Sequence, residues 1–445
     1  MRGVALRGTT ARMSDRSEKT MASLEVDVLV CGGGMAGTVA AIAAGRAGAD
    51  ALLVERWGFL GGSATAGAVG QFVGWETESG RRVIHGIAEE IAQRLVAEGA
   101  SEGHTHFVMS TGHRMDYVPY DPEPLKRVLD EVVVAAPARV LFHSMILAVR
   151  TEGRAIAEVT LLTKAGPLAV RPKAVIDASG DLDVLARAGA PFLTLAEGEA
   201  LQPATMMFRF GPIDFARLHA LSTAELQALA SRGVEQGALA RAALHNTPIA
   251  GTRDAWFNIS RVGVDATDPL ALSAAEMEGR RQAFAAAKYL KAAVPGCENG
   301  RIVALAAQLG IRETRRMRGD YLLTADDVRS GRHFADTIAA AAYPIDVHPA
   351  QGADLRFETL GADHCYEIPY RCLVPVALDN ALVAGRGISA THEAHAATRV
   401  MPTTMAIGQA AGTAAALIVE RGTTAHDVQT DVVRAKLRAA GAYLP

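Results

Sequence analysis

The sequence is poor in cysteine and proline and has no excess of charge of one sign. Its 445 residues include 4 Cys and 18 Pro, and no two cysteines form a CxxC pair. This spacing excludes a disulfide framework, a zinc ribbon and a dithiol redox motif. Lys and Arg number 45 against 48 Asp and Glu, a formal charge of -3, which provides no basic field for nucleic acid. We therefore predict a cytoplasmic protein without a nucleic-acid partner.

Long apolar runs also look absent from the sequence. No run approaches the roughly 20 apolar residues that span a bilayer, and the N-terminal segment lacks the apolar core of a signal peptide. We predict no membrane span. Residues 1–22 are interpreted as a disordered tail or a start assigned too early, because a second methionine, Met21, directly precedes the first strand-like segment.

A βαβ pattern opens the folded part of the chain. Residues 26–31 form a short β-branched apolar run, residues 35–48 an Ala-rich helix, and residues 51–55 a second strand. Helices are predicted over 85–98 and 121–136. Four strand-like runs between 139 and 176, the last two at 168–170 and 174–176, predict a small β-meander that returns to a parallel sheet at Asp177.

The turn between the first strand and the helix has the spacing GxGxxG, in the run Gly-Gly-Gly-Met-Ala-Gly that ends at Gly37. Backbone amides and the positive end of the helix can meet a pyrophosphate there with no side chain in the way. Glu55 follows 18 residues later, at the end of the second strand. Its carboxylate can accept from both ribose hydroxyls and repels a 2′-phosphate, which disfavours NADP. The alternative is a purely structural Gly-rich turn.

A second small-residue loop over residues 56–67 lets the backbone approach a cofactor that extends beyond its adenosine half. This loop resembles the FAD-dependent oxidoreductase family related to the fumarate-reductase-type flavoproteins. The resemblance extends to residues 120–126, 174–181, 310–316 and the block GRGISATHEAHAATRVMPTTMAIGQAAG at 385–412. The resemblance implies FAD as the cofactor. Many relatives carry Cys where this chain has Gly387 and Thr404, so no thiol or iron–sulfur chemistry is carried over.

The resemblance implies an α/β fold, with a Rossmann-like FAD-binding domain that contains a parallel sheet and a small β-meander, and an inserted α+β substrate domain. We predict the FAD-binding domain in two parts, residues 23–189 and 373–445. The substrate-facing domain is predicted over 190–372, where long helical patterns occur at 223–244 and 273–292. Further helices are predicted over 403–420 and 427–439.

Cofactor-binding residues are predicted from the glycine loops and from the resemblance. They are Gly32, Gly34, Met35, Ala36, Gly37, Glu55, Arg56, Gly61, Gly62, Ser63, Ile146, Ser179, Gly180, Gly385, Arg386, Thr403, Thr404 and Met405. A helix opened by Pro402 and Thr403 would direct unpaired amides of Thr404 and Met405 toward the flavin, where negative charge accumulates on reduction. For Arg386 the alternative is a surface ion pair.

Two residues of the C-terminal block are predicted to act on substrate. The planar fork of Arg399 suits a substrate carboxylate or another anion, and the imidazole of His392 has a pKa suited to proton transfer near neutral pH. The alternatives are structural: His392 bonded to a backbone carbonyl, Arg399 paired with Glu393, and the nearby His395 a solvated or core histidine.

Two polar clusters remain. Residues 312–316 place three arginines around Glu313, a pattern that is usually a solvated helix face. The resemblance makes burial near the cofactor an alternative, with Glu313 neutralising an arginine. Three histidines between 104 and 113 lack the spacing that recurs in zinc sites, so no metal site is predicted.

These patterns predict an enzyme that transfers a hydride between a small polar organic substrate and bound flavin, as a dehydrogenase, an oxidase or an alkene reductase. A single GxGxxG leaves no separate NAD(P)H domain, so dioxygen, a quinone or a carrier protein would exchange electrons with the flavin directly. One alternative is a non-catalytic flavin-binding sensor or redox subunit. Another is an NAD-dependent dehydrogenase, but that interpretation assigns no role to residues 385–412. A homodimer is compatible with the sequence.

Overall fold

The computed structural model describes residues 22–108, 113–349 and 356–445. The predicted N-terminal tail lies, except for its last residue, outside the described residues. The strands are β1 (Ala22–Cys31), β2 (Ala51–Val54), β3 (Gln71–Val73), β4 (Thr105–Val108), β5 (Arg114–Pro119), β6 (Arg139–Leu141), β7 (Met145–Glu152), β8 (Ala155–Thr163), β9 (Gly166–Asp177), β10 (Phe192–Leu193), β11 (Phe208–Gly211), β12 (Asn246–Pro248), β13 (Ala255–Phe257), β14 (Arg301–Leu305), β15 (Arg316–Met317), β16 (Thr337–Ala341), β17 (Ile345–Val347), β18 (Arg356–Glu358), β19 (Tyr366–Pro369) and β20 (Ala381–Val383). The helices are α1 (Met35–Arg46), α2 (Ile87–Ala97), α3 (Pro122–Ala135), α4 (Asp183–Arg187), α5 (Phe215–His219), α6 (Thr223–Glu235), α7 (Pro269–Ala293), α8 (Ala325–Ser330), α9 (His392–Thr398), α10 (Met401–Arg421) and α11 (Thr430–Ala439).

The main sheet has the order β6-β2-β1-β9-β8-β7, and β20 also pairs with β9. The pairs β6–β2, β2–β1, β1–β9 and β9–β20 are parallel. Consecutive residues of β1, Val28 to Val30, are fully buried, which is the pattern of a strand covered on both faces. The predicted α/β fold with a parallel sheet is confirmed.

The β-meander consists of β7, β8 and β9 in antiparallel pairs. The prediction of separate strands at 168–170 and 174–176 is wrong, because β9 runs without a break through Pro172. Its first half pairs with β8 as far as Val170, and its second half pairs with β20 from Val175. Pro172 falls between these two pairings, where a missing amide donor costs little.

Helices α1 and α10 pack through glycine. A Cβ on Gly408 would lie 2.2 Å from the carbonyl oxygen of Ala36, and one on Gly412 would lie 2.1 Å from that of Ala40. Only glycine allows this approach. Because both contacts advance in the same direction along the two helices, α1 and α10 run parallel and their N-termini lie at the same end.

Helix α10 is also the one helix among the described residues that is long and apolar enough, by length and composition, to cross a membrane. Of its most apolar window, 89% is buried inside the protein. The sequence analysis predicted a helix over 403–420 but did not recognise it as an apolar segment of that length. Its apolar character reflects its position in the core.

Residues 190–372 contribute to two cores. The sheet β12-β13-β11-β14 packs with α7 around a separate apolar cluster that includes Phe208 and Leu290. Strands β16 and β19 instead pack into the core of the main sheet, through Ile338 and Ile368. The domain boundaries remain a prediction. The predicted helix 223–244 is shorter in the structure, because α6 ends just before Gly237, whose φ of 68° breaks the helical path.

Candidate functional site

The three glycines of the GxGxxG turn have distinct spatial roles. A Cβ on Gly32 would lie 2.4 Å from the carbonyl oxygen of Ala178, and one on Gly37 would lie 1.9 Å from that of Gly32. A Cβ on Gly34 would meet nothing closer than Gly62 Cα at 4.0 Å, and Gly34 lines a cleft. The outer glycines therefore permit close packing, while the middle one leaves open space in front of the N-terminus of α1. This cradle fits a pyrophosphate.

The second glycine loop is bonded to the first. The amide of Gly61 donates to the carbonyl of Gly33 at 2.8 Å, and Gly61 and Gly62 both have positive φ, at 109° and 54°. These angles favour glycine over residues with side chains. Gly61 and Ser63 line the same cleft as Gly34, so the two loops form one continuous backbone surface.

Glu55 is held in place by main-chain donors. Its Oε2 accepts from Gly33 N at 2.7 Å and its Oε1 from Trp57 N at 2.9 Å. Burial raises the pKa of this carboxyl, although the two backbone donors oppose the shift. Each oxygen retains a second acceptor position, so the structure is compatible with the predicted bond to a ribose. That role remains a prediction.

A second pocket adjoins the cleft and shares Ile311 with it. Arg56, Trp57 and Met145 contribute to its lining. The Nε1 of Trp57 donates to Gln308 Oε1 at 3.2 Å, and Arg56 bonds the same oxygen. The predicted residue Ile146 does not line either pocket, whereas its neighbour Met145 does. The position suits the adenosine end of a dinucleotide that extends from the glycine turn.

Ser179 and Gly180 form the turn after β9. The Oγ of Ser179 donates to Asp177 at 2.6 Å and accepts from the amide of Asp183 at 2.8 Å. This side chain therefore holds the turn, and it is Gly180, with φ of 85°, that lines the cleft.

Gly385 and Arg386 reach the cleft from the end of β20. Gly385 has φ of 97° and both residues line the cleft. The guanidinium of Arg386 donates from Nε to the carbonyl of Gly180 at 3.0 Å and is paired with the carboxylate of Asp181. The sequence offered a cofactor-binding role or a surface ion pair for Arg386. The ion pair exists, but it lies in the wall of the cleft and not on the outer surface.

Helix α10 starts at Met401, two residues earlier than predicted. The amide of Thr404 is already bonded to the carbonyl of Val400 at 3.0 Å, so the prediction of unpaired amides at Thr404 and Met405 is wrong. The unpaired amides of the first turn belong to Met401 and Thr403. Met401 and Thr404 line the cleft, and the Oγ1 of Thr403 is buried without a hydrogen-bond partner. The positive end of the helix still faces the cleft.

The cleft is open to solvent and is lined by residues from many parts of the chain. One wall consists of the two glycine loops, Gly180, Gly385 and the first turn of α10. A second part of the lining carries polar side chains from distant parts of the chain, among them Gln71, Asn258, Arg312, Tyr343, Asp346, His348 and Arg399. The site therefore joins a dinucleotide cradle to a charged chamber.

Arg399 is paired with Asp346 in this chamber. Its Nη2 lies 3.3 Å from Oδ2 of Asp346 and donates to the carbonyl of the same residue at 3.2 Å, while its buried Nε has no partner. The predicted alternative partner, Glu393, is paired instead with Arg329 at 3.2 Å. Arg399 therefore faces the cleft with donors to spare.

Asp346 also accepts from Tyr343 Oη at 2.9 Å and lies 3.1 Å from Nε2 of His348. Burial alone would raise the pKa of Asp346, but His348, Arg399 and Tyr343 together hold it below its usual range. Burial, reinforced by the charge of Arg312, lowers the pKa of His348 to about 3. The chamber therefore holds a carboxylate and a neutral imidazole. The sequence analysis missed His348 and Asp346, because they stand in no motif.

His392 does not line the cleft. Its ring is buried, and its Nδ1 lies 2.9 Å from Oε1 of Glu313, which also lies 3.2 Å from Nε of Arg316. Burial would raise the pKa of Glu313, but His392 and His395 lower it to about 2. Burial lowers the pKa of His395 to about 3, as for a core histidine. This geometry supports a holding role for His392, with a carboxylate in place of the carbonyl that the sequence analysis considered. Burial of Glu313 beside an arginine is confirmed.

Comparison with known proteins gives one family and several structures of similar topology. The family described as FAD dependent oxidoreductase matches residues 27–437. No protein with a curated description matches the chain. A geranylgeranyl bacteriochlorophyll reductase-like protein from Thermoplasma acidophilum is 14% identical, with 94% of this chain and 84% of that chain covered and a TM-score of 0.49. The p-nitrophenol 4-monooxygenase PnpA from Pseudomonas putida DLL-E4 is 14% identical, with 95% and 87% covered and a TM-score of 0.49.

Proposed function

The chain belongs to the family of FAD-dependent oxidoreductases, and we propose that it transfers a hydride between bound FAD and a small organic anion. It is an enzyme and FAD is its cofactor. The family match argues against the alternative of an NAD-dependent dehydrogenase. The observation that carries the proposal is that Gly34, Gly385, the first turn of α10 and Arg399 all line one cleft. A substrate held by Arg399 would therefore share this cleft with the cofactor.

The charge of the chamber supports an anionic substrate. Arg312 and Arg399 both line the cleft, and Asp346 is the carboxylate that lines it with them. The fork of Arg312 donates to the carbonyl of Pro203 at 2.5 Å and to Oγ1 of Thr205 at 2.8 Å, both neutral. Positive charge therefore exceeds negative charge on this wall. A planar guanidinium holds a carboxylate in a defined register.

Oxidation of such a substrate releases a hydride from a C–H bond and a proton from the adjacent O–H, N–H or C–H bond, which leaves a C=O, C=N or C=C bond. When bound, FAD supplies the two-electron acceptor or donor. A separate acceptor, whether dioxygen, a quinone or a carrier protein, then takes the two electrons. In the reverse direction, the same hydride and proton are added to the double bond and reduce it.

For the proton we propose His348, since its imidazole lines the cleft and is oriented by Asp346. An anionic substrate bound in the cleft would offset the charge of Arg312, which adds to the effect of burial in lowering the pKa of His348. Arg399 is proposed as the residue that binds the anion. His392, which the sequence analysis placed in proton transfer, is proposed as a positioning residue that acts through Glu313 and holds the start of α9.

The test is anaerobic bleaching of the flavin band by a panel of organic acids and of their uncharged amides and methyl esters. We expect the purified protein to contain near-equimolar FAD, and we expect at least one acid, but not its neutral derivatives, to bleach it. Bleaching by neutral compounds alone would contradict the anionic substrate. A protein that neither contains nor takes up FAD would overturn the reaction itself.

A further inference from the structure

An apolar patch lines the cleft beside Arg399. Val73, Tyr343 and Val400 all line the cleft, and they belong to one small apolar cluster that is distinct from the two larger cores. Val73 is half-buried, whereas Tyr343 and Val400 are 8% and 7% exposed. Pockets for organic ligands combine such apolar surface with a few placed polar groups. We refer to these three side chains as the apolar patch.

Local structure explains why these side chains reach the cleft. Val73 is the last residue of β3, in which Phe72 is fully buried and its two neighbours are half-buried. Since side chains alternate along a strand, Gln71 and Val73 share one face, and both line the cleft. The next residue is Gly74, where a Cβ would lie 3.1 Å from Cβ of Tyr343. This close approach brings Tyr343 against the end of β3.

The patch adjoins the proposed anion-binding residue at two points. Val400 follows Arg399 directly in the chain and is the N-cap residue of α10. The Oη of Tyr343 donates to Oδ2 of Asp346 at 2.9 Å, and Nη2 of Arg399 lies 3.3 Å from the same oxygen. Because its hydroxyl is engaged in this bond, Tyr343 offers a ligand mainly its ring. A ligand whose anionic group is bound by Arg399 therefore has its next atoms within reach of the patch.

We propose that the apolar patch binds the hydrocarbon part of the substrate, so that the substrate is an organic acid in which an apolar body follows the anionic group. The inference rests on the proposed function, because it assigns the remainder of the anion that Arg399 holds. The side chains of Val73 and Val400 form no hydrogen bonds, so polar substrate groups placed against them would lose their partners in water. Apolar groups, in contrast, gain free energy when the patch removes them from water.

The test uses the FAD-loaded protein and measures dissociation constants from the perturbation of the flavin spectrum. The probes are the straight-chain carboxylates from acetate to heptanoate, with 4-hydroxybutyrate as a polar match for valerate in length. We expect the dissociation constant to fall by about fourfold for each added methylene group until the patch is covered. We expect valerate to bind at least about tenfold more tightly than 4-hydroxybutyrate, because the patch cannot compensate for desolvation of the hydroxyl.

Two substitutions of Val73 test the patch directly. Val73→Thr keeps the branched shape but places a hydroxyl in the patch, so the gain in affinity per methylene group should largely disappear. Val73→Ala opens space, so the acid that binds most tightly should become about one or two carbons longer. Val303→Thr, at an exposed valine of β14, is the matched control and should retain the wild-type dependence on chain length.

The absence of binding, affinity that does not depend on chain length, or a dependence that both Val73 variants retain would each overturn the patch as a substrate site. Loss of FAD from Val73→Thr would show that the flavin itself covers the patch, and it would overturn the proposal as well. Valeramide tests the proposed function separately. If the amides bind as tightly as the acids and with the same dependence on chain length, the patch stands and the anionic substrate is refuted.

Discussion

The two walls of the cleft recognise their ligands by different means. The nucleotide wall is built from backbone, with turns at Gly32, Gly61 and Gly385 held at positive φ and two helix N-termini facing the same space. The substrate wall is built from side chains, among them Asp346, which serves three partners. The first wall would therefore hold a ligand through main-chain groups, and the second through charged and polar side chains. Perturbations of the two walls should therefore have separable consequences.

The largest effect is expected on the nucleotide wall from Gly37→Ala. The new Cβ would lie 1.9 Å from the carbonyl oxygen of Gly32, so the turn must open and the cradle is lost. We expect FAD affinity to fall by about a hundredfold or more, on the scale of 1.4 kcal/mol per factor of ten. The flavin-to-protein absorbance ratio after gel filtration measures it. Gly263→Ala, where a Cβ meets nothing within 4 Å, is the control and should retain the cofactor.

On the substrate wall, Arg399→Lys retains the charge but loses the planar fork. We expect FAD content to remain unchanged and kcat/KM for the anionic substrate to fall by about tenfold to a hundredfold, as for loss of a bidentate charge-assisted contact. Steady-state kinetics with the acid identified by bleaching provide the measurement. If the variant loses FAD and the reconstituted enzyme has normal kinetics, Arg399 belongs to the nucleotide wall and the comparison fails.

Glu55→Gln tests whether a change in the nucleotide wall affects FAD binding without affecting the substrate. The amide retains the shape of the side chain but replaces one acceptor, so either Gly33 N or Trp57 N loses its partner. We expect FAD affinity to fall by about tenfold, consistent with one or two lost polar contacts. Enzyme saturated with FAD should retain its kcat and KM. A changed KM at full FAD occupancy would contradict the assignment of Glu55 to the cofactor alone.

The smallest effect is a change in pH dependence from His348→Gln. Between its folded pKa of about 3 and the ordinary value of 6.5, the unfolded chain binds a proton that the folded protein excludes. The free energy of unfolding therefore falls as the pH decreases through this window, and the variant should lose less stability there. Melting curves from pH 4 to 7 test this, with the exposed His219→Gln as the matched control. Identical slopes in wild type and variant would show that His348 is not held neutral.

The glycine turns of the nucleotide wall could be located from the sequence because their signals are local. A strand, a glycine turn and a helix are neighbours along the chain, so their spacing alone defines where the amides point. The start of α10 was nevertheless predicted two residues too late, since the helix begins at Met401. The unpaired amides of its first turn were therefore assigned to the wrong residues. Helix ends depend on which carbonyl is available, here that of Val400.

The substrate wall could not be predicted in the same way. Gln71 and Asp346 both line the cleft, but they stand more than two hundred residues apart and belong to no motif. His392, next to Glu393 in a conspicuous polar run, looked catalytic but is bonded to Glu313. His348, in an unremarkable segment, lines the cleft. The burial of a histidine and the partner that it meets are properties of packing, which periodicity along the chain does not report.

The sequence by itself determined the α/β class, the glycine turns and the family, since each depends on backbone geometry that short-range residue choice dictates. The tertiary structure alone decided which charged groups share one chamber and which of them lack a partner. The physical reason is that electrostatic balance depends on distance and burial, and chain separation determines neither.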